Sequence, residues 1–245
     1  MLSRVQGAIA MTLRWLGIIC ALAFALSPAR ADFGNNAYNW NNPYVLTMDY
    51  VTSSTSTTGS VTAPASIENG DLLILFDSSR ASSGFPTAVT PTGFTNLSSV
   101  AGNANGRNML SYKIADGTED SASITGMDST EDRKCLVQYR GSRPISNLTA
   151  STPVTASSAG DPTQQTIAAS SGVLPPTLGI ATFSANNTVS PRTTSITPDN
   201  ELSCGSVQAY FHGYTQETSP ANYTFDMDDE GNDNILIGVY FYAFW

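Results

Sequence analysis

From Asp32 to Trp245 the chain holds no run of apolar residues at helical spacing. Short apolar or alternating runs recur there instead, set between clusters of Gly, Pro, Asn and Ser. Ser and Thr make up about a quarter of the chain, with 19 Gly and 13 Pro, a composition that suits strands and turns better than helices. The runs read as strands at Tyr44–Val51, Asp71–Phe76, Met109–Ile114, Ser121–Thr125, Cys135–Tyr139, Gln165–Ala169, Leu178–Phe183, Val207–Gly213, Asn222–Phe225 and Asn234–Phe244. Ser53–Ser60 is almost wholly Ser, Thr and Gly, which fits a loop or an exposed strand edge. About ten short strands with no helical period point to an all-β fold, an antiparallel β-sandwich of jelly-roll type, built as a single domain over 32–245.

Two of these strands are apolar at every position. Leu72-Leu73-Ile74-Leu75-Phe76 follows the turn residues Asn69-Gly70, and Ile235 to Phe244 closes the sequence. A strand that is half in water carries polar groups on one of its two sets of positions, so both runs require cover on both faces. For the last strand the cover is either a central place in the sandwich or a subunit interface. A chain end favours the surface, so Tyr242, Phe244 and Trp245 are expected to form an intermolecular contact, most simply in a homo-oligomer.

The first 31 residues differ in kind. They carry Arg4, Arg14 and Arg30 and no acid, whereas the rest has 8 basic and 20 acidic residues. The run Leu16–Leu26 is apolar over 11 residues and is followed by Ser27-Pro28-Ala29-Arg30-Ala31. A basic start, a short apolar run and an A-x-A end describe a secretory signal peptide cleaved after Ala31, with Met11 as an alternative start. The run is too short to span a bilayer, which takes about 20 residues. If retained, the segment would be an apolar N-terminal arm. Either way the expected location is extracellular, in a virion or secreted. With Cys20 in this segment, Cys135 and Cys204 remain. They can pair across a loop of about 70 residues or serve as two separate small core residues.

Lys occurs only at 113 and 134, and the formal charge is −9. Nucleic-acid binding through phosphate neutralisation needs clustered Lys and Arg, so that partner class is excluded.

Four segments together resemble a β-sandwich domain of bacteriophage virion and tail proteins and of prophage-encoded or secreted bacterial proteins. They are Ile67-Glu68-Asn69-Gly70-Asp71-Leu72-Leu73-Ile74, Pro91-Thr92-Gly93-Phe94-Thr95-Asn96-Leu97, Tyr112-Lys113-Ile114-Ala115-Asp116-Gly117-Thr118-Glu119 and Tyr139-Arg140-Gly141. The resemblance covers residues 60–141 and extends to the second half by strand rhythm alone. Its residues make structural sense: Asn69-Gly70 and Asp116-Gly117 supply positive-φ turn positions, and Pro91 with Gly93 turns Phe94 to the core. Lys113 and Arg140 are placed to pair with Glu119 or Asp116. The resemblance implies a non-enzymatic structural or adhesive role, as a tail or capsid-decorating protein or a surface component, whose partners are other virion or surface subunits or a host glycan.

Other chemistries are thinly signalled. His212 is the one histidine; alternation sets it beside Gln208 and Tyr210 on the more polar face of its strand, which reads as a surface position. No G-x-S-x-G elbow accompanies it for a Ser-His-Asp triad, and one His with two distant Cys does not make a zinc site. Asp226, Asp228 and Glu230 follow the first half of a calcium-loop spacing, but the twelfth position is Ile237 where a bidentate Glu is needed. A solvated hairpin tip or a weak calcium site both fit. Tyr38, Trp40 and Tyr44 sit among asparagines, as in a sugar-binding face or an N-terminal clip docked on the sandwich. A secreted carbohydrate-binding module is therefore the second reading. A glycoside hydrolase is the third, although no spacing selects a carboxylate pair.

Overall fold

The structure, a computed structural model, describes residues 45–244 except 82, 103–104, 128–132, 160–161, 169–175, 187–188, 190–191, 217–220 and 228–233. The N-terminal leader with its cleavage site, and Tyr38, Trp40 and Tyr44, lie outside the described residues. Among those described there are strands and no helix, and every pairing is antiparallel.

Two large sheets organise the rest. The first has the order β2 (Met48–Ser56), β8 (Arg133–Gly141), β4 (Leu72–Arg80), β6 (Gly106–Ile114) and β5 (Thr95–Ala101). The second runs β1 (Val45–Leu46), β17 (Asn234–Phe244), β12 (Thr177–Ser184), β15 (Ala209–Gln216) and β14 (Asn200–Ser203), with β9 (Asn147–Ala150) and β10 (Val154–Ser158) also on β17. One buried cluster joins them: Leu72, Ile74, Phe76, Val137 and Tyr139 from the first sheet, and Ile180, Phe211, Ile237, Val239 and Phe241 from the second. This arrangement is compatible with a β-sandwich.

Each large sheet is then covered again on its outer face. Over the second lies a three-stranded sheet of β11 (Gln165–Ile167), β16 (Tyr223–Met227) and β13 (Arg192–Thr194). Its Tyr223, Phe225 and Met227 pack on Phe183, Tyr214, Leu236 and Tyr240. Over the first lies the pair β3 (Val61–Thr62) and β7 (Ser123–Ile124), which with Ala63, Ile67 and Met127 buries Leu73, Leu75 and Leu136. This cover explains why β4 and β17 are apolar on both sides. Along β17 the odd residues from Ile235 to Ala243 face the shared core, while Leu236, Tyr240 and Tyr242 face the three-stranded sheet.

β17 is central by pairing as well. Ala243 is opposed by Leu46 on one side and Leu148 on the other, and residues 235–238 lie between β12 and β10. Tyr242 is 5% exposed within a single chain, which corrects the expectation that its ring serves an intermolecular contact. The even face of β17 is met by a third sheet, so a second copy is not needed to cover it. The side chain of Phe244 and all of Trp245 lie outside the described residues.

Of the two readings of Ser53–Ser60, the strand edge holds for Ser53–Ser56, and several further strands were not legible as such. Ser53–Ser56 prolongs β2 as an edge of the first sheet, and Thr95–Ala101 forms the opposite edge. Both are rich in Ser and Thr and only half-buried, so no apolar run marks them. The four short strands β9, β10, β13 and β14 are hidden for the same reason.

Where layers close, glycine makes room. A Cβ on Gly213 of β15 would lie 1.9 Å from the Tyr139 hydroxyl of the facing sheet and 2.5 Å from Asn200 Oδ1, the acceptor of that hydroxyl's hydrogen bond at 2.9 Å. The disulfide Cys135–Cys204 also crosses between the two large sheets, from β8 to the residue after β14. Both sulfurs are buried in the shared core.

Two outcomes follow from this packing. Gly213→Ala, which must displace Tyr139 or open the layers, lowers the unfolding free energy by about 1–3 kcal/mol in denaturant titration. Reducing Cys135–Cys204 releases a separation of 69 residues and costs about 4 kcal/mol in the same assay, by the loop-entropy relation.

Candidate functional site

The four segments singled out in the sequence converge at one end of the first sheet. Gly70 and Gly117 adopt φ of 88° and 86°, as their turns require. Gly70 is tightest, since a Cβ there would come within 2.6 Å of Pro144. These turns present Asp71, 2% exposed, to Arg140. The guanidinium grips the carboxylate in fork geometry, Nε to Oδ1 at 2.9 Å and Nη2 to Oδ2 at 2.8 Å. Gln138 Nε2 and the Glu68 amide also donate to Oδ2, at 2.7 and 2.8 Å, and Arg140 Nη2 reaches the Ser66 carbonyl at 2.7 Å. Burial alone would raise the Asp71 pKa. The hydrogen bonds from Arg140, Glu68 and Gln138 and the Arg140 charge outweigh it, and the carboxyl sits below its ordinary range.

Lys113 pairs with Glu119 and, at 3.5 Å, with Asp116, while Arg140 takes Asp71 and, at 2.7 Å, Glu68. The sequence expectation is thus met for Lys113 and corrected for Arg140. Asp71 lies closer because β4 and β8 are neighbours. Glu119 is 4% exposed and accepts from the amides of Asp116 and Gly117 at 3.2 Å each. Its hydrogen bond to Lys113 raises the pKa of that ammonium. Every one of these groups ties a turn to a strand, so the cluster reads as bracing.

His212 is a correction. It is 3% exposed rather than on the surface, although it does lie on the same face of β15 as Tyr210. Alternation identifies the face, but the three-stranded sheet covers it. Phe183 lies 4.8 Å from the imidazole, between ring centroids, and Glu201 is the cross-strand neighbour, with Oε2 3.5 Å from Nε2. Arg192 holds Glu201 and stacks 3.6 Å over the Tyr210 ring. Burial pushes the imidazole pKa down to about 4, against the attraction of Glu201 and with the repulsion of Arg192. At neutral pH His212 is uncharged, and its contact with Glu201 is not an ion pair.

Asp226 is on β16, accepting from the Met227 amide at 2.9 Å and from Gln164 Nε2 at 3.4 Å; Asp228 and Glu230 lie outside the described residues. Among the described residues no group of three or more His, Cys, Asp or Glu side chains could hold a metal ion.

Sequence reading missed a second polar cluster, at the other end of β4, β6 and β8. Lys134 is fully buried and pairs with Asp77 at 3.2 Å, and Ser79 Oγ donates to Asp77 Oδ1 at 2.8 Å. On the core side Ser184 Oγ donates to Asn108 Oδ1 at 2.8 Å, across the two large sheets. The cleft here, lined by Ser79, Arg80, Arg107, Asn108, Arg133 and Ser184, has a volume near 10 Å³. That is room for a single water and too little for an organic ligand. A signal existed: Lys134 is in phase with Leu136, and Asp77 with Leu73 and Leu75, on faces that must be covered.

The buried imidazole makes a pH test. Its folded pKa is about 4 against 6.5 when unfolded, so in that window the unfolded chain binds a proton that the folded chain does not. Its contribution is complete above pH 6.5 and is lost as pH falls toward 4, on the order of 3 kcal/mol in all. Urea titrations at about pH 7 and about pH 4.5 show a smaller loss of stability on acidification for His212→Leu than for the wild type.

No family model matches this chain, and neither a curated protein nor a solved structure matches it.

Proposed function

We propose that the chain is a non-enzymatic structural or adhesive β-sandwich of jelly-roll type. In this reading it is a phage virion component, of the tail or capsid-decorating kind, or a prophage-derived surface component. It acts outside the cell through interfaces with protein subunits or glycans.

The observation that carries this reading is the bracing. One disulfide ties the two large sheets, and disulfides persist in oxidising compartments. Buried charged groups hold the turns at one end of the first sheet and the strands at the other. The edges offered to partners, β2 and β5, are half-buried and lined with Ser and Thr hydroxyls, which favour polar contacts over indiscriminate strand pairing. A scaffold stabilised throughout and polar at its edges suits a part that must persist outside the cell.

The test is where the protein is found. Immunoblots of purified particles, made from induced cultures, detect the chain in the particle fraction at constant stoichiometry. Recovery solely as free protein in the supernatant, with turnover in a screen of glycan and ester substrates, refutes the reading.

A further inference from the structure

We propose that Asp77 and Lys134 condense to an intramolecular isopeptide bond, an autocatalytic modification that joins β4 to β8 through their side chains. The two residues are direct cross-strand partners on adjacent antiparallel strands. Both side chains are withdrawn from water, with exposures of 6% and 0%, and Lys134 Nζ lies 3.2 Å from Asp77 Oδ1. Lysine ordinarily keeps its ammonium in water by extending its stem along the surface, and here it does not. The positions are rigidly held, because β4 pairs with β6 on its other side through the same residues. Confinement of this kind substitutes for very high reactant concentration, with effective molarities of roughly 10⁵–10⁸ M in well-oriented intramolecular reactions.

A charged pair is costly in an apolar interior, and transfer of one proton from the ammonium to the carboxylate yields a neutral amine and a neutral acid. The amine lone pair then adds to Asp77 Cγ. Ser79 Oγ, which donates to Oδ1 at 2.8 Å, is placed to stabilise negative charge developing on that oxygen. Collapse of the adduct breaks one C–O bond and leaves the C–N bond of an amide. Of the ammonium's three hydrogens one stays on nitrogen, and two depart with a carboxylate oxygen as water. No oxidant, reductant or cofactor enters the balance, and the product buries a neutral amide in place of two charges.

The experiment is a peptide map of the full chain. Purified protein is denatured, reduced and alkylated, so that the Cys135–Cys204 bridge contributes no linkage, then digested with trypsin and sequenced by tandem mass spectrometry. The expected product is a branched peptide joining the segment that ends at Arg80 to one containing Lys134. It is lighter than its two parts by one water molecule and is uncleaved after Lys134. Asp77→Ala and Lys134→Arg each give separate linear peptides. Because digestion follows denaturation, the wild-type map decides the matter even if a variant folds poorly. Linear peptides with cleavage after Lys134 in the wild type overturn the proposal and leave a buried ion pair. Persistence of a branch at Lys134 in Asp77→Ala overturns it too, by placing the acyl partner elsewhere.

Discussion

The fold depends on one requirement: a strand that is apolar on both faces must be covered twice. β4 and β17 are such strands, and they lie inside the two large sheets rather than at an edge. Once they are set side by side through their inner faces, each sheet still presents an apolar outer face. The small sheets exist to meet that demand, β11, β16 and β13 over the second and β3 with β7 over the first. The stacking stabilises by removing about 25 cal/mol worth of exposure per Å² of apolar surface, on two faces of each large sheet instead of one.

Double cover also explains where the charges went. In a two-layer structure the outer face of a sheet is wet and charged side chains sit there at little cost. Here the outer faces are interior, and Asp71, Asp77, Glu119 and Lys134 are each 5% exposed or less. Each therefore needs a partner nearby, and each has one: Arg140, Lys134, Lys113 and Asp77 respectively. The two lysines of the chain are both spent on such pairs. His212 meets the same environment with the opposite solution, giving up its charge.

The parts of this fold that were legible in the sequence are those written by apolar runs. The paired faces of β17 could be read residue by residue, as could the turns at Gly70 and Gly117, because period two and positive φ leave local marks. What could not be read was which element supplies a cover. Nothing along β17 says that β16 will arrive above Tyr242, so the sequence alone points its ring at a second copy. His212 reads as a surface residue for the same reason. The Asp77–Lys134 pair also stayed hidden, since cross-strand register over a separation of 57 positions leaves no trace in spacing. The edges are obscure because half-buried Ser and Thr carry almost no period.

The central position of β17 bears on how the molecule comes into being. Among the described residues it follows β1, β9, β10 and β12 in order, yet all four hydrogen-bond to it. A ribosome delivers it after every one of its neighbours, and until then the middle of the second sheet is an empty slot between strands waiting for a partner. Closure of that sheet consequently waits for β17 and rests on long-range contacts, of the slow kind. This dependence leaves a checkpoint: a copy truncated before residue 234 has no centre on which its second sheet can close.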